Sequence, residues 1–108
     1  MTRVRNEKVA ELLKHLAAKF LQTESNRSSL ITVTGIRLKD DLSKAAILVT
    51  VYPVNKEAAA IDFIQRRVGD FKDYVQEHSR LGRIPFLSFE IDTGEKNRQK
   101  IDELSREQ

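Results

Sequence analysis

A change of helical phase in the middle of the chain constrains the fold more than any other feature. Ile61, Ile64 and Val68 form one apolar helical stripe, and Phe71 begins another stripe just after Gly69. On a straight α-helix, Ile61 and Phe71 would point about 80° apart. A kink at Val68–Gly69 would turn both stripes toward one core, and it would explain a glycine that costs a helix interior roughly 1 kcal/mol. The alternative is one long helix that tolerates the glycine.

The N-terminal half predicts a helix followed by a β-hairpin. Apolar residues recur at helical spacing over about residues 4–22. Two β-branched, apolar runs at 30–38 and 45–54 predict strands joined by a short polar turn. Gly35 inside the first strand predicts a bulge or a close backbone approach. The stripe of the helix consists of Val9, Leu12, Leu13, Leu16, Ala17, Phe20 and Leu21.

The C-terminal half predicts the kinked helix pair and a third strand. The first helix covers about residues 55–68, with Asn55 as its N-cap. The second helix ends near Gly82, which is predicted to be its C′ residue. The alternating run at 84–92 predicts a strand. The polar tail at 93–108 permits only a short or frayed helix.

The predicted order is helix, strand, strand, helix, kink, helix, strand. This is a single α+β domain over residues 1–92, with one small three-stranded sheet covered by helices. The order matches the type II KH fold, a module that binds single-stranded RNA. Ordinary KH domains carry a GxxG loop between the paired helices, whereas residues 66–70 here are RRVGD, with one glycine.

Composition favours a polyanionic partner and excludes several kinds of site. The 108 residues carry a net charge of +3 and include no cysteine, so disulfides and thiol chemistry are excluded. The pI is about 9.3. Residues 1–22 hold five basic and two acidic groups, which makes this segment the most electropositive. We expect a soluble, cytoplasmic domain without a membrane segment, and no motif indicates a metal, a cofactor or catalysis.

Three stretches carry a resemblance to the bacterial ribosome-binding factor A family, whose KH-like members have an interrupted helix in place of GxxG. They are KVAELLKHLAAKFL (8–21), TVTGIRLKDDLSKAAILVTV (32–51) and RLGRIPFLSFEID (80–92). The resemblance implies a monomeric late assembly factor for the small (30S) ribosomal subunit that binds 16S rRNA, with assembly GTPases in the same pathway and no catalysis. The chain departs from the family at Arg67, at Phe86 and at Leu38-Lys39, where a small residue, an acid and a serine are usual.

The candidate RNA contacts are basic residues near the kink, on the first helix and beside the loops. Arginine side chains can grip phosphates as planar forks. An ordinary solvated surface is the alternative for each of them, including Lys14 and Lys19 on the first helix. The predicted contacts are Arg3, Arg5, Lys8, Lys39, Lys44, Arg66, Arg67, Lys72, Arg80 and Arg83.

Other residues that could carry chemistry have simpler structural interpretations. The helical spacing of Phe71 and Tyr74 predicts core positions rather than base stacking, and His78 is predicted to lie in the core or at its edge. The acidic pair Asp40-Asp41 is predicted to form a turn. Two alternatives to a ribosome assembly factor stay open: an RNA-binding KH protein with another role, and a protein-interaction module that docks through its acidic tail or a strand edge.

Overall fold

The computed structural model describes residues 2–24, 28–95 and 98, and it has the predicted α+β architecture. Every predicted element is present in the predicted order. The elements are α1 (Thr2–Glu24), β1 (Leu30–Leu38), β2 (Lys44–Tyr52), a 3-10 helix (Val54–Lys56), α2 (Glu57–Gln65), α3 (Val68–His78) and β3 (Phe86–Ile91).

The three strands form one sheet with β2 in the centre. β1 and β2 are antiparallel, which confirms the hairpin, and their register shifts between Val33 and Gly35, which confirms the bulge. β2 and β3 are parallel. Parallel neighbours need a long connection that crosses over the sheet, and α2 with α3 supplies it.

The helices pack on one face of the sheet and enclose the core. The predicted stripe of α1 is buried except for Leu12, which is half-buried and packs against the core. The ring of Phe71 in α3 joins the layers, because its centroid lies 5.2 Å from that of Phe20 in α1 and 5.5 Å from that of Phe89 in β3. Tyr74 packs at the edge of the same cluster. Both aromatic residues of α3 therefore serve the core, as predicted.

The helix interruption lies two residues earlier than predicted. α2 ends at Gln65 and α3 begins at Val68, so Arg66 and Arg67 form the break, while Val68 and Gly69 open α3. The last turn of α2 tightens, because the Arg67 N–H donates to the Ile64 carbonyl, three residues back, at 3.0 Å. Gly69 does not have a positive φ. A tightened helix end, rather than glycine geometry, therefore produces the change of direction.

The predicted purpose of the interruption is confirmed. Ile64 in α2 and both Phe71 and Val75 in α3 are fully buried in the same core cluster, and Ile61 packs against it. The alternative of one unbroken helix is therefore wrong.

Both predicted helix caps are wrong. Asn55 lies inside the 3-10 helix, and Lys56 occupies the position before α2 without a side-chain cap. Gly82 lies four residues beyond the end of α3 at His78. The Ser79 hydroxyl donates to the Val75 carbonyl at 2.7 Å and accepts from the Leu81 N–H at 3.3 Å. A serine side chain thus satisfies this helix end, and a left-handed glycine is not needed.

Strand ends and the tail also differ from the sequence prediction. β2 ends at Tyr52 because Pro53 cannot continue the ladder, and β3 begins only at Phe86, after Pro85. Residues 93–95 and 98 have helical backbone, whereas Ile101 and Leu104 lie outside the described residues. No helix in the described part of the chain is both long and apolar enough to span a bilayer.

Candidate nucleic-acid interface

Five of the predicted basic residues surround the point where β3 begins. They come from α1, from the β1–β2 turn and its flanks, from α3 and from the loop before β3. Within the part of the chain that the structure describes, none of the five forms an ion pair. We call this set the basic surface: Arg5, Lys39, Lys44, Lys72 and Arg83.

Three adjoining grooves connect these residues. The hairpin groove is lined by Arg5 of α1, Leu42 of the turn and Arg83. The helix-side groove, about 380 Å³ in volume, shares Arg83 and adds Gly69 and Lys72. The sheet-face groove, also about 380 Å³, lies on the face of the sheet away from the core, and its lining residues include Lys39, Lys44, Ala46, Ser88 and Phe86.

Hydrogen bonds within the β1–β2 turn hold the backbone of Lys39 and Lys44 on its two sides. The Lys39 N–H donates to the Lys44 carbonyl at 2.9 Å, and the Leu42 N–H donates to the Lys39 carbonyl at 2.8 Å. The Asp41 carboxylate accepts from the Ser43 hydroxyl at 2.6 Å and from the Ser43 N–H at 3.0 Å. The Ser43 hydroxyl is the main reason that the pKa of Asp41 lies below its ordinary value.

A hydrogen bond joins this turn to α1. The Asn6 side-chain amide donates to the Asp40 carbonyl at 3.1 Å. The neighbouring Arg5 therefore lies beside Leu42 and Asp41 in the hairpin groove. The acidic pair Asp40-Asp41 lies in a turn, as predicted, and serves its geometry.

The loop from 79 to 85 positions Arg83. Its start is fixed by Ser79, and its end is fixed by buried Pro85 and by the Phe86 N–H, which donates to the Ser43 carbonyl at 2.9 Å. Arg83 is exposed between these two anchors. Its position in two grooves makes it the link between the α1 side and the α3 side of the basic surface.

The two kink arginines are engaged locally. Arg66 forms an ion pair with Asp62, one turn earlier in α2. The Arg67 guanidinium lies 4.9 Å from the centroid of the Phe63 ring and 3.8 Å from the Asp70 carboxylate. Each arginine thus has a carboxylate neighbour, and the local charge at the kink is close to balanced. The prediction that these arginines grip phosphate stays a prediction.

The other predicted contacts lie apart from this junction. Lys8 and Lys19 are exposed on α1, Lys14 is half-buried there, and Arg80 is exposed in the loop after α3. Arg3 lies in the first turns of α1, and its side chain lies outside the described residues.

His78 is exposed at the end of α3, so the prediction of a core position is wrong, and it reaches the edge of the core only through Tyr74. Its ring stacks on that of Tyr74 with centroids 4.0 Å apart, and its Nδ1 lies 2.9 Å from the Tyr74 carbonyl oxygen. No group of three or more His, Cys, Asp or Glu side chains in the described ranges is arranged to hold a metal ion.

Two residues of the interface were not predicted from the sequence. Phe86 is 72% exposed and lines both the helix-side and the sheet-face grooves. Arg37 lines the sheet-face groove and forms a two-pronged ion pair with Glu90, at 2.7 and 2.8 Å. The signal for Phe86 was available: because Leu87 and Phe89 alternate toward the core, the residue before Leu87 must point to the other face.

Comparison with known proteins matches this chain to one protein family. The family model described as ribosome-binding factor A matches residues 5–105. A relative of that name from Desulfitobacterium hafniense is 28% identical, over 98% of this chain and 87% of that protein. One from Staphylococcus epidermidis is also 28% identical, over 99% of this chain and 95% of that protein.

Structural comparison finds proteins of the same name. The crystal structure of ribosome-binding factor A from Thermus thermophilus is similar with a TM-score of 0.72 at 23% identity, over 80% of this chain and 93% of that one, which supports the shared fold. A homology model of the T. thermophilus protein, fitted into a cryo-EM map of its complex with 30S, has a TM-score of 0.65 at 25% identity, over 73% of this chain and 86% of that one. Because the family model spans nearly the whole sequence, this chain belongs to the ribosome-binding factor A family.

Proposed function

We propose that this protein binds the small (30S) ribosomal subunit through 16S rRNA during late maturation of that subunit. Membership of the family supports the proposal, and so does the similarity to a T. thermophilus protein fitted into the map of a 30S complex. The observation that carries it on this chain is the basic surface, whose five cations lack ion-pair partners within the described residues.

The physical basis is electrostatic. A polyanion that binds these cations releases its condensed counterions, which drives association at moderate salt. Cations drawn from α1, a hairpin turn, α3 and a loop match the curved path of a phosphate backbone better than they match a single base edge. The arrangement therefore suits recognition of RNA by shape.

The proposed RNA contacts form a ranking. The basic surface ranks first, together with Lys8 and Arg80, which lie close in sequence to Arg5 and Arg83. The kink residues Arg66 and Arg67 rank second, because RNA phosphates must compete there with carboxylates of the same helices. Arg3 remains a proposed contact on the N-terminal part of α1.

The remaining parts of the proposal follow from a role in binding. The protein acts in the cytoplasm as a monomer, without a cofactor and without catalysis, and assembly GTPases act in the same pathway. Residues 1–92 form the KH-like binding domain, and the tail at 93–108 is an appendage to it.

A protein-interaction module is the competing function, and one surface favours it. Leu30, Tyr52 and Val54 are exposed apolar residues, and Leu30 and Tyr52 are direct partners in the β1–β2 ladder. They lie at the opposite end of β2 from Lys44. Binding through this patch would be insensitive to salt and would not require RNA, unlike binding through the basic surface.

Sedimentation of lysate that contains tagged protein tests the proposal. We expect the protein to comigrate with free small subunits and to be absent from translating 70S particles. A variant with Lys72→Glu and Arg83→Glu should leave the subunit fraction. Lys72→Glu alone should also weaken comigration, and its matched control, Lys56→Glu, makes the same charge change at an exposed lysine near the apolar patch and should remain in the subunit fraction. Comigration with unrelated RNAs alone would contradict the proposal.

A further inference from the structure

The ring of Phe86 is exposed in a way that its counterparts are not. Phe20, Phe71 and Phe89 are buried, Phe63 is half-buried, and Phe86 is the one phenylalanine of the described chain that is exposed. Single exposed apolar residues are common on protein surfaces, so exposure alone does not define a site. The surroundings of the ring make the difference.

The backbone beneath the ring is fixed. The Phe86 N–H donates to the Ser43 carbonyl at 2.9 Å, and Phe86 pairs with Lys44 where the parallel strands begin. Buried Pro85 precedes it, and buried Leu87 follows. Since only two side-chain torsions remain, holding the ring against a flat partner costs little conformational entropy.

Phe86 lines two grooves that carry positive charge. The helix-side groove contains Lys72 and Arg83 and no carboxylate among its lining residues. The sheet-face groove contains Lys39 and Lys44, and its acidic residue, Glu90, is already bound to Arg37. Ala46 and Ser88, which are direct partners across β2 and β3, contribute small side chains to the sheet-face groove.

An exposed apolar ring in grooves whose lysines and Arg83 form no ion pair within the described residues matches the chemistry of a nucleotide. We propose that Phe86 stacks on an unpaired RNA base, with the phosphates on either side of that base held by Lys44 and Lys39 on the sheet face and by Lys72 and Arg83 on the helix side. Base–aromatic stacking accepts any base, because every base has a π-face. The inference rests on the proposed function, and it names the element of rRNA that is bound: a single-stranded nucleotide.

Charge argues against an apolar protein surface as the occupant. Covering Phe86 with such a surface would also remove water from Lys44, Lys72 and Arg83 without supplying partners for them. An RNA strand supplies the flat surface and the negative charges together.

Affinity and salt dependence separate stacking from charge. Phe86→Ala should weaken binding to purified small subunits by about 5- to 150-fold, the range expected for one stacked base. Because the ring is neutral, the slope of log K against log salt should not change. Lys44→Ala should instead lower that slope by roughly 0.7–0.9 if one phosphate contact is lost. Phe86→Trp should bind at least as tightly as the parent.

Fluorescence gives a direct readout of the contact. The chain contains no tryptophan, so Phe86→Trp introduces a single reporter. We expect its emission to be quenched by small subunits and by protein-free 16S rRNA. The control is Tyr52→Trp, an exposed aromatic position at the other end of β2, about 26 Å away along the strand. Its emission should not change with protein-free rRNA.

Three results would overturn the inference. The first is parental affinity of Phe86→Ala for small subunits. The second is quenching of the Phe86→Trp variant by small subunits but not by protein-free rRNA, which would indicate a ribosomal protein as the occupant. The third is quenching of the Tyr52→Trp variant by protein-free rRNA to the same extent as quenching of the Phe86→Trp variant. A parent that fails to bind small subunits would instead contradict the proposed function, and titration with protein-free rRNA would still report on stacking.

Discussion

The hydroxyl of Thr34 donates a hydrogen bond to Oδ2 of Asp92 at 2.5 Å, across 58 positions of the sequence. Thr34 lies at the β1 bulge, between Val33 and Gly35, and Asp92 directly follows β3. The other carboxylate oxygen, Oδ1, accepts from the Glu95 N–H at 3.0 Å, in the manner of a helix N-cap. One carboxylate thus ties the two outer strands together and fixes the start of the C-terminal segment.

This carboxylate makes stability depend on pH. The pKa of Asp92 lies below its ordinary value, chiefly because of the Thr34 hydroxyl and next because of the Glu95 N–H. A lowered folded-state pKa means that the stabilisation is complete above the ordinary aspartate range and is lost as the pH falls through the lowered value. Asp92→Asn should therefore cost about 1 kcal/mol at pH 7 in the free energy of unfolding from urea titrations.

The low-pH arm is the control for this prediction. Once the pH falls below the lowered pKa, the parent carboxylate is protonated, so parent and Asp92→Asn should converge in stability. The pKa of Asp41 is also lowered, but both proteins share that residue, so its contribution cancels. A stability difference that stays constant as the pH falls through the lowered pKa would show that ionisation of Asp92 is not its source.

Gly69→Ala should stabilise the protein. Gly69 is the second residue of α3, its φ is not positive, and nothing lies within 4 Å of the Cβ that alanine would add. Alanine is the better helix former, so we expect a gain of up to about 1 kcal/mol in urea unfolding. A loss of stability would show that the glycine is needed for the local backbone.

The same variant tests whether Gly69 has a role in RNA binding. Gly69 lines the helix-side groove beside Lys72. If RNA approaches the backbone closely there, Gly69→Ala should be more stable and yet bind small subunits more weakly. Unchanged binding would leave the glycine without a functional role.

Leu42 should prefer glycine to alanine. It lies in the β1–β2 turn with a φ of 62°, a left-handed conformation that costs a residue with a Cβ about 1–2 kcal/mol. Both Leu42→Gly and Leu42→Ala remove the half-buried side chain, so the comparison isolates the backbone. We expect the glycine variant to be more stable by about 1 kcal/mol in thermal or urea unfolding. Equal stabilities would show that the turn relaxes to another conformation.

Periodicity predicted the faces of the elements well and their ends poorly. The α1 stripe and the alternation of β3 follow from spacing alone, because burial of one face fixes which residues point inward. The helix break was predicted at Val68–Gly69, because glycine is a strong sequence signal for a break. It lies at Arg66–Arg67 instead, where the helix tightens through the hydrogen bond from the Arg67 N–H to the Ile64 carbonyl, and that bond has no signal in the sequence. The cap at Ser79 was missed in favour of Gly82 for the same reason: several residues can satisfy a helix end.

The basic residues of the candidate interface were among those proposed from the sequence, but their common location and the exposed ring of Phe86 were not. Charge and position identified Arg5, Lys72 and Arg83, yet only the fold shows that they surround one point at the start of β3. The arginines at the kink looked most favourable in the sequence, because their partners Asp62 and Asp70 come into contact only once the helical spacing is realised.

A comparison of two double variants tests which arginines and lysines contact RNA. Arg66→Ala with Arg67→Ala should change stability by under about 1 kcal/mol, since exposed ion pairs contribute little. Lys72→Ala with Arg83→Ala should be equally mild, because neither side chain has an ion-pair partner in the described chain. Titration of small subunits at several salt concentrations should show the larger loss of salt slope for the Lys72 and Arg83 pair, roughly 0.7–0.9 per phosphate contact removed.

Removing the kink arginines also exposes the charges of Asp62 and Asp70, which would repel RNA at a distance even without a lost contact. Asp62→Asn with Asp70→Asn is therefore the matched control, because it releases Arg66 and Arg67 from their carboxylates and keeps both arginines. If the kink contacts phosphate, this variant should bind small subunits more tightly and with a steeper salt slope than the parent. If it gains affinity without a change in slope, and the arginine variant keeps the parental slope, the kink arginines are solvated surface and the contact face is the basic surface.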